Sequence, residues 1–155
     1  MSLLSERQIP ADFGDQLRNA GYVTAKFLAD IVHATGRRLP SANQNAKAAR
    51  VERLIQAQAW TDAALALIDL ELPQWQVRRL AYDEGEWHCA LSRQRELPDW
   101  LDQSIETRHA DLALAILSAF VEVQRVSASS SRTSVPSAPW RADTLYEPIC
   151  ADNFA

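Results

Sequence analysis

The strongest constraint on the fold is a pair of aromatic-rich runs that flank an Asp-Glu-Gly turn. The runs cover residues 75–82 and 86–92, and Asp83, Glu84 and Gly85 lie between them. This arrangement is typical of an antiparallel β-hairpin. A two-residue loop of type I′ would place Glu84 at positive φ, which is unfavourable for a residue with a Cβ. The sequence therefore favours a three-residue loop in which Gly85 takes the left-handed conformation.

The three-residue loop fixes the register of the predicted hairpin and the composition of its two faces. It sets residues of the first run opposite residues of the second: Ala81 with Trp87, Arg79 with Cys89, and Val77 with Leu91. One face is then apolar except for Arg79, and the other, which carries Tyr82 and His88, is polar except for Leu80. An arginine on an apolar face either stacks on a tryptophan or anchors an anion or carboxylate at a partner surface.

Helical periodicity accounts for the residues before the hairpin. Apolar side chains recur at spacings of three, four and seven over residues 11–35, and Gly36 followed by Pro40 predicts the end of that helix. Two further helices are predicted over residues 46–59 and 62–70. The first of these has one apolar and one charged face, as a helix on the surface of a core does.

The segment after the hairpin predicts one long helix over residues 99–126, with a break near residues 107–109. Residues 112–121 are apolar nearly all round, which indicates a deeply buried central helix. An isolated two-stranded hairpin is marginally stable in water, so we expect helices to cover one of its faces. The predicted fold class is therefore α+β, with helices packed on an antiparallel β-hairpin, a long apolar C-terminal helix and a flexible tail.

Composition divides the chain into three segments. Residues 1–45 form an N-terminal helical segment, residues 46–126 an α+β core of two helices, the hairpin and a last helix, and residues 127–155 a Ser/Pro-rich linker and tail. The last segment has the composition of a flexible chain. The sequence does not decide whether the first segment packs on the core.

The charge of the chain disfavours nucleic acid as its main ligand. The formal net charge is −4, and the basic residues are scattered along the sequence. Binding to phosphate backbones depends on a basic excess or stripe. No signal-peptide pattern opens the sequence, and the apolar stretch at residues 112–123 carries Glu122 and is shorter than the roughly 20 residues that cross a bilayer. We therefore expect a cytoplasmic protein that does not associate with a membrane.

The cysteines and histidines form no known metal or catalytic motif. Cys89 lies in the apolar part of the hairpin, where we expect a small buried side chain, and Cys150 lies in the tail. Neighbouring strand residues point to opposite faces, so His88 cannot activate the Cys89 thiol. A metal site could be assembled from four residues: Glu86, His88, His109 and Asp111. Their spacing matches no zinc motif, and we expect neither a metal nor a cofactor.

Two functions from different classes are compatible with these features. The leading hypothesis is a non-catalytic protein-interaction or adaptor domain whose partner is another protein or a second copy of the chain. A homodimer would use either residues 112–123 or the edge of the hairpin. Trp140 lies beyond the linker, where an aromatic side chain has no core to join unless the tail folds back. The candidate interaction residues are Arg79, Trp140, Tyr146 and Phe154.

The alternative is a small-molecule-binding protein or a minor enzyme with a pocket between the hairpin and the last helix. Its polar lining would come from four residues: Arg78, Tyr82, His88 and His109. A cavity in which these side chains converge would favour the pocket. A filled core with dispersed histidines would favour the interaction domain.

Overall fold

The computed structural model describes residues 12–36, 41–93 and 103–132, with side chains as far as residue 129. Within these ranges the chain forms five helices and one three-stranded antiparallel sheet. In chain order the elements are α1 (Asp12–Asn19), α2 (Ala25–Thr35), α3 (Ala42–Gln56), α4 (Trp60–Glu71), β1 (Gln76–Asp83), β2 (Glu86–Ser92), β3 (Ser104–His109) and α5 (Leu112–Arg132). The predicted α+β class is confirmed, including the hairpin and the long apolar C-terminal helix. Residues 133–155, which hold most of the predicted tail, lie outside the described ranges.

Helix α5 is the centre of the packing. It packs on β2 and β3 and also contacts α1 and α4, while α3 packs on α4 and touches α2. One hydrophobic core contains Leu17 of α1, Leu28 of α2, Leu67 of α4, Leu91 of β2 and Phe120 of α5, each of them fully buried. The N-terminal helices therefore share a core with the hairpin and α5, a point that the sequence left open.

The helix predicted over residues 11–35 is interrupted. Helix α1 ends at Asn19 and α2 starts at Ala25, with Gly21 in the connection. Thr24 caps α2, because its hydroxyl accepts a hydrogen bond from the Phe27 backbone N–H at 3.2 Å. The predicted end at Gly36 is confirmed, since the Gly36 N–H donates to the Val32 carbonyl at 2.9 Å.

The hairpin is confirmed, but its predicted loop and register are wrong. Asp83 pairs with Glu86, which leaves a two-residue loop with φ of 51° at Glu84 and 87° at Gly85. This is the type I′ geometry, whose twist matches that of the flanking strands. Near the loop each β1 residue therefore pairs one place away from the prediction: Tyr82 with Trp87, Ala81 with His88, Leu80 with Cys89, and Arg79 with Ala90.

A β-bulge corrects the register further along β1. It lies between Val77 and Arg79 and restores the predicted pairing of Val77 with Leu91. Because a shift of one residue moves a side chain to the other face, Leu80 and Tyr82 share a face with Cys89, and Arg79 does not. The predicted register placed Arg79 on the apolar face; in the structure Arg79 lies on the opposite face.

The left-handed conformation of Glu84 provides a test of the loop. Replacing Glu84 with Asn is expected to raise the free energy of unfolding by about 1 kcal/mol, because Asn tolerates positive φ and Asn-Gly is the preferred type I′ pair. Urea denaturation measures the change. Glu84→Ala is the matched control, since alanine also carries the steric cost of a Cβ at positive φ. Equal stability of the Asn and Ala variants would contradict the loop geometry.

The helix predicted from residue 99 is wrong over residues 104–109, which form the strand β3. This strand pairs antiparallel with β2, from Ser92 opposite Ser104 to Trp87 opposite His109. Asp111 precedes α5 and caps its first turn, because its carboxylate accepts a hydrogen bond from the Leu114 N–H at 3.0 Å. The helix also continues to Arg132 rather than ending near residue 126, so the first residues of the predicted linker are helical.

Helix α5 is long and apolar enough to cross a membrane by length and composition alone. The 18-residue window Leu112–Ser129 has a mean hydropathy of 1.4, and half of the window is buried inside the domain. The core helix of a soluble protein meets the same criterion. The buried residues of α5 are Ala113, Leu114, Ala115, Ile116, Leu117, Ala119, Phe120, Val121 and Val123. This burial by the strands and other helices is compatible with a soluble protein.

Candidate functional site

The sheet has an inner face towards α5 and an outer face away from it. Among the described helices, α5 alone packs extensively against the strands. The Thr107 hydroxyl of β3 donates to the Ala115 carbonyl of α5 at 2.8 Å, which assigns Thr107 to the inner face. Its pairing partner Cys89 and the alternate residues Trp87 and Leu91 lie on the same face. The intervening residues form the outer face, where Ala90 and Ser92 are buried but no described helix makes extensive contact with the strands.

The outer face carries charged side chains in two cross-strand pairs. His88 Nδ1 lies 3.2 Å from Glu106 Oε1, and Arg108 Nε lies 3.9 Å from Glu86 Oε2. The Glu106 side chain is 55% exposed and that of Arg108 is 73% exposed. Solvent screens ion pairs of this kind, so each contributes little to stability. The contact with Glu106 accounts for the position of the His88 ring on the outer face.

The structure separates the four residues of the predicted pocket. Tyr82 and His109 lie on the inner face, on either side of Trp87 in one cross-strand row. His88 lies on the outer face, and Arg78 lies at the bulge of β1. His109 Nδ1 accepts a hydrogen bond from the Asp111 backbone N–H at 2.9 Å, so this ring orders the tight connection from β3 to α5.

The interface between the hairpin and α5 is filled. Cys89 and Leu91 of β2 and Leu117 of α5 are each 0% exposed. A concavity of about 610 Å³ does occur, but it is open and lies at the connection between α1 and α2, where Asp15, Tyr22 and Phe27 help to line it. Among the described residues no group of three or more His, Cys, Asp or Glu side chains could hold a metal ion.

Cys89 is a buried thiol, as its place in the hairpin predicts. Burial raises the pKa of its thiol from 9.0 to about 12. A thiol of this kind stays protonated at neutral pH and is a poor nucleophile, because the thiolate is the reactive species. Cys89 is therefore a core residue, and Cys150 lies outside the described residues.

An apolar surface lies on the hairpin, with two exposed side chains and one that is half-buried. We call it the β1 patch: the exposed Leu80 and Tyr82, and Trp87, which also packs against the core. Leu80 is 39% exposed and Tyr82 is 60% exposed. The rings of Tyr82 and Trp87 stack at a tilt of 55° with their centroids 5.1 Å apart. The predicted register placed Leu80 and Tyr82 among polar neighbours, so this patch was missed; the unexplained Leu80 on a polar face was its one signal.

Among the described strands, none pairs with the free side of β1 beside the β1 patch. The described sheet has the order β1-β2-β3, so β1 is an edge strand. A two-residue hairpin loop closes on a hydrogen-bonded pair, here Asp83 with Glu86. Peptide groups alternate in direction along a strand, so those of Leu80 and Tyr82 point away from β2. Exposed apolar side chains and outward peptide groups thus coincide at these residues.

The predicted interaction residues fall into two groups. Arg79 is exposed on β1, on the outer face and next to the patch. Trp140, Tyr146 and Phe154 lie outside the described residues. Comparison of the chain with family models, curated proteins and solved structures gives no match, so the function is argued from this geometry.

Proposed function

We propose that the chain is a non-catalytic protein-interaction domain that binds its partner through the β1 edge. The observation that carries this proposal is the coincidence of the β1 patch with an unpaired strand edge. Native proteins protect sheet edges with charges, prolines, bulges or a covering element, and an exposed apolar edge strand is a template for strand addition. In β1 a bulge interrupts the edge at residues 77–79 but leaves residues 79–83 regular.

Strand addition supplies both affinity and selectivity. Main-chain hydrogen bonds from Leu80 and Tyr82 would bind an extended segment, while the side chains of the β1 patch would select its apolar residues. Tyr82 and Trp87 suit this role, because aromatic side chains provide large contact areas at low entropic cost and are frequent at binding hot spots.

The alternative of a small-molecule site between the hairpin and α5 has less support. That interface is filled with buried side chains, and the histidines are dispersed: His33 on α2, His88 on the outer face and His109 at the start of the turn to α5. The proposal includes a cytoplasmic location, which the unpaired buried thiol of Cys89 supports.

Affinity capture from native lysate tests the proposal. We expect the full chain to retain a protein that a Leu80→Lys/Tyr82→Lys variant retains at least about 10-fold less, because lysine on an edge strand opposes strand addition. Tyr22→Lys is the control: Tyr22 is 73% exposed on the α1–α2 connection, so a lysine is added to an exposed aromatic position outside the β1 edge, with one added charge against two. Equal retention of that protein by all three chains would reject the β1 edge as the binding surface.

A further inference from the structure

We propose that the partner at the β1 edge is a second copy of this chain, whose β1 adds antiparallel to the first about a two-fold axis at Ala81. This inference rests on the proposed function and names its partner. The product is a continuous six-stranded sheet, built from two copies of the three-stranded sheet. A two-fold interface of this kind requires that the strand be complementary to itself, because each copy presents the same surface.

The backbone satisfies this requirement. An axis at Ala81 sets Leu80 of one copy opposite Tyr82 of the other, and both have outward peptide groups. Each such pair exchanges two N–H···O bonds, as a hydrogen-bonded pair of an antiparallel ladder does. Ala81 then faces its own copy in the intervening non-hydrogen-bonded pair, where the small side chain allows the closest approach.

The side chains are complementary in the same register. On the inner face, Leu80 packs against Tyr82 of the other copy, so the β1 patches of the two copies become continuous. On the outer face, Arg79 lies opposite Asp83 of the other copy, and this charge pair occurs twice. Both residues are exposed, and within the part of the chain that the structure describes neither forms an ion pair. Opposite charges at directly facing positions stabilise strand pairing.

Neighbouring registers lose the charge pairing. An axis at Leu80 sets Arg79 opposite Ala81, and an axis at Tyr82 sets Asp83 opposite Ala81. Axes between residues would place inner-face side chains opposite outer-face ones, which the alternation of a pleated strand forbids. The bulge before Arg79 and the turn after Asp83 confine regular pairing to residues 79–83. The five residues Arg-Leu-Ala-Tyr-Asp thus specify one register.

Charge reversal on the full-length chain tests the partner. We expect sedimentation velocity to show a dimer for the wild type, weakened about 10-fold or more in both Arg79→Asp and Asp83→Arg, because each change creates two like-charge pairs. Mixing these two variants is expected to restore dimers, since the heterodimer regains two opposite-charge pairs. Arg108→Asp is the control, because it reverses an outer-face arginine on β3, away from β1. Circular dichroism verifies that each variant is folded.

A cross-link tests the register. In a Cys150→Ser background, Ala81→Cys is expected to form a disulfide between copies under mild oxidation, because facing Cα atoms of a non-hydrogen-bonded pair lie about 4.5 Å apart, within disulfide range. Arg79→Cys, compared at an equal fraction of dimer, is the control, since that position faces Asp83 and not itself. A wild type that stays monomeric at its solubility limit, or an Ala81→Cys chain that links no faster than Arg79→Cys, overturns the inference. If a lysate protein still depends on Leu80 and Tyr82 in that case, the proposed function stands without self-association.

Discussion

Replacing Phe120 with alanine is expected to lower the free energy of unfolding by about 3–5 kcal/mol. Phe120 is 0% exposed and lies in α5, the helix that the strands and the other helices enclose. The loss combines the transfer of an aromatic ring out of the core with the cavity that a rigid environment leaves behind. Most small domains are stable by about 5–15 kcal/mol, so this one change removes a large share of the total. Urea denaturation monitored by tryptophan fluorescence measures it.

Val126→Ala is the matched control for Phe120→Ala. Val126 lies on the same helix but is 45% exposed, so its truncation is expected to change stability by about 0.5 kcal/mol or less. Similar losses in the two variants would show that α5 is not enclosed by the rest of the domain. They would also make the half-buried apolar window of α5 available to a membrane or a partner, in place of the β1 edge.

The hairpin could be predicted from the sequence, but its loop could not. The aromatic runs around Asp83 and Gly85 indicate two paired strands whatever the loop. A three-residue loop was predicted because it avoids the steric cost of Glu84 at positive φ, about 1–2 kcal/mol. That cost is too small to determine the loop. The twist of a type I′ turn matches the strands, and this match favours the whole hairpin rather than one residue.

The surface of the hairpin was mispredicted as a consequence of its loop. A shift of one residue exchanges the faces of a strand, so Leu80 and Tyr82 moved from the polar face to the inner one. The bulge that restores the pairing of Val77 with Leu91 cannot be recognised from the alternation of apolar residues in the sequence. The β1 patch therefore depends on backbone geometry that a single sequence does not contain.

The third strand was missed for a different reason. Ile105 is the sole large aliphatic side chain of β3, and the exposed positions Glu106 and Arg108 are residues that also suit helices. The strand forms because these residues pair with the edge of β2 and because the Thr107 hydroxyl donates a hydrogen bond to α5. These are tertiary contacts, which local propensity does not report. Helix α5 was predicted correctly as a buried apolar helix, because residues 112–121 are apolar on nearly all sides.

Because of the buried thiol of Cys89, the free energy of unfolding is expected to fall at alkaline pH. Burial raises the pKa of Cys89 to about 12, against 9.0 for an exposed thiol. Between these values the unfolded chain has lost the proton and the native chain has kept it. The native state therefore binds more protons, and the free energy of unfolding decreases as pH rises, by up to about 1.4 kcal/mol per pH unit from this group. A Cys89→Ala variant is expected to lack this part of the slope, and urea denaturation at several pH values above 9 measures the difference.

The same pKa predicts that Cys89 is chemically protected in the native state. At pH 8 a pKa of about 12 leaves a thiolate fraction about 1,000-fold smaller than a pKa of 9.0 does, and the thiolate is the species that reacts. In a Cys150→Ser chain, labelling by an aromatic disulfide reagent is therefore expected to be much slower in buffer than in urea. Steric exclusion by the enclosing core acts in the same direction. A native chain that labelled as fast as the unfolded one would show that Cys89 is exposed. The inner face of the sheet would then be open to solvent, and the β1 patch would be no more exposed than the rest of that face.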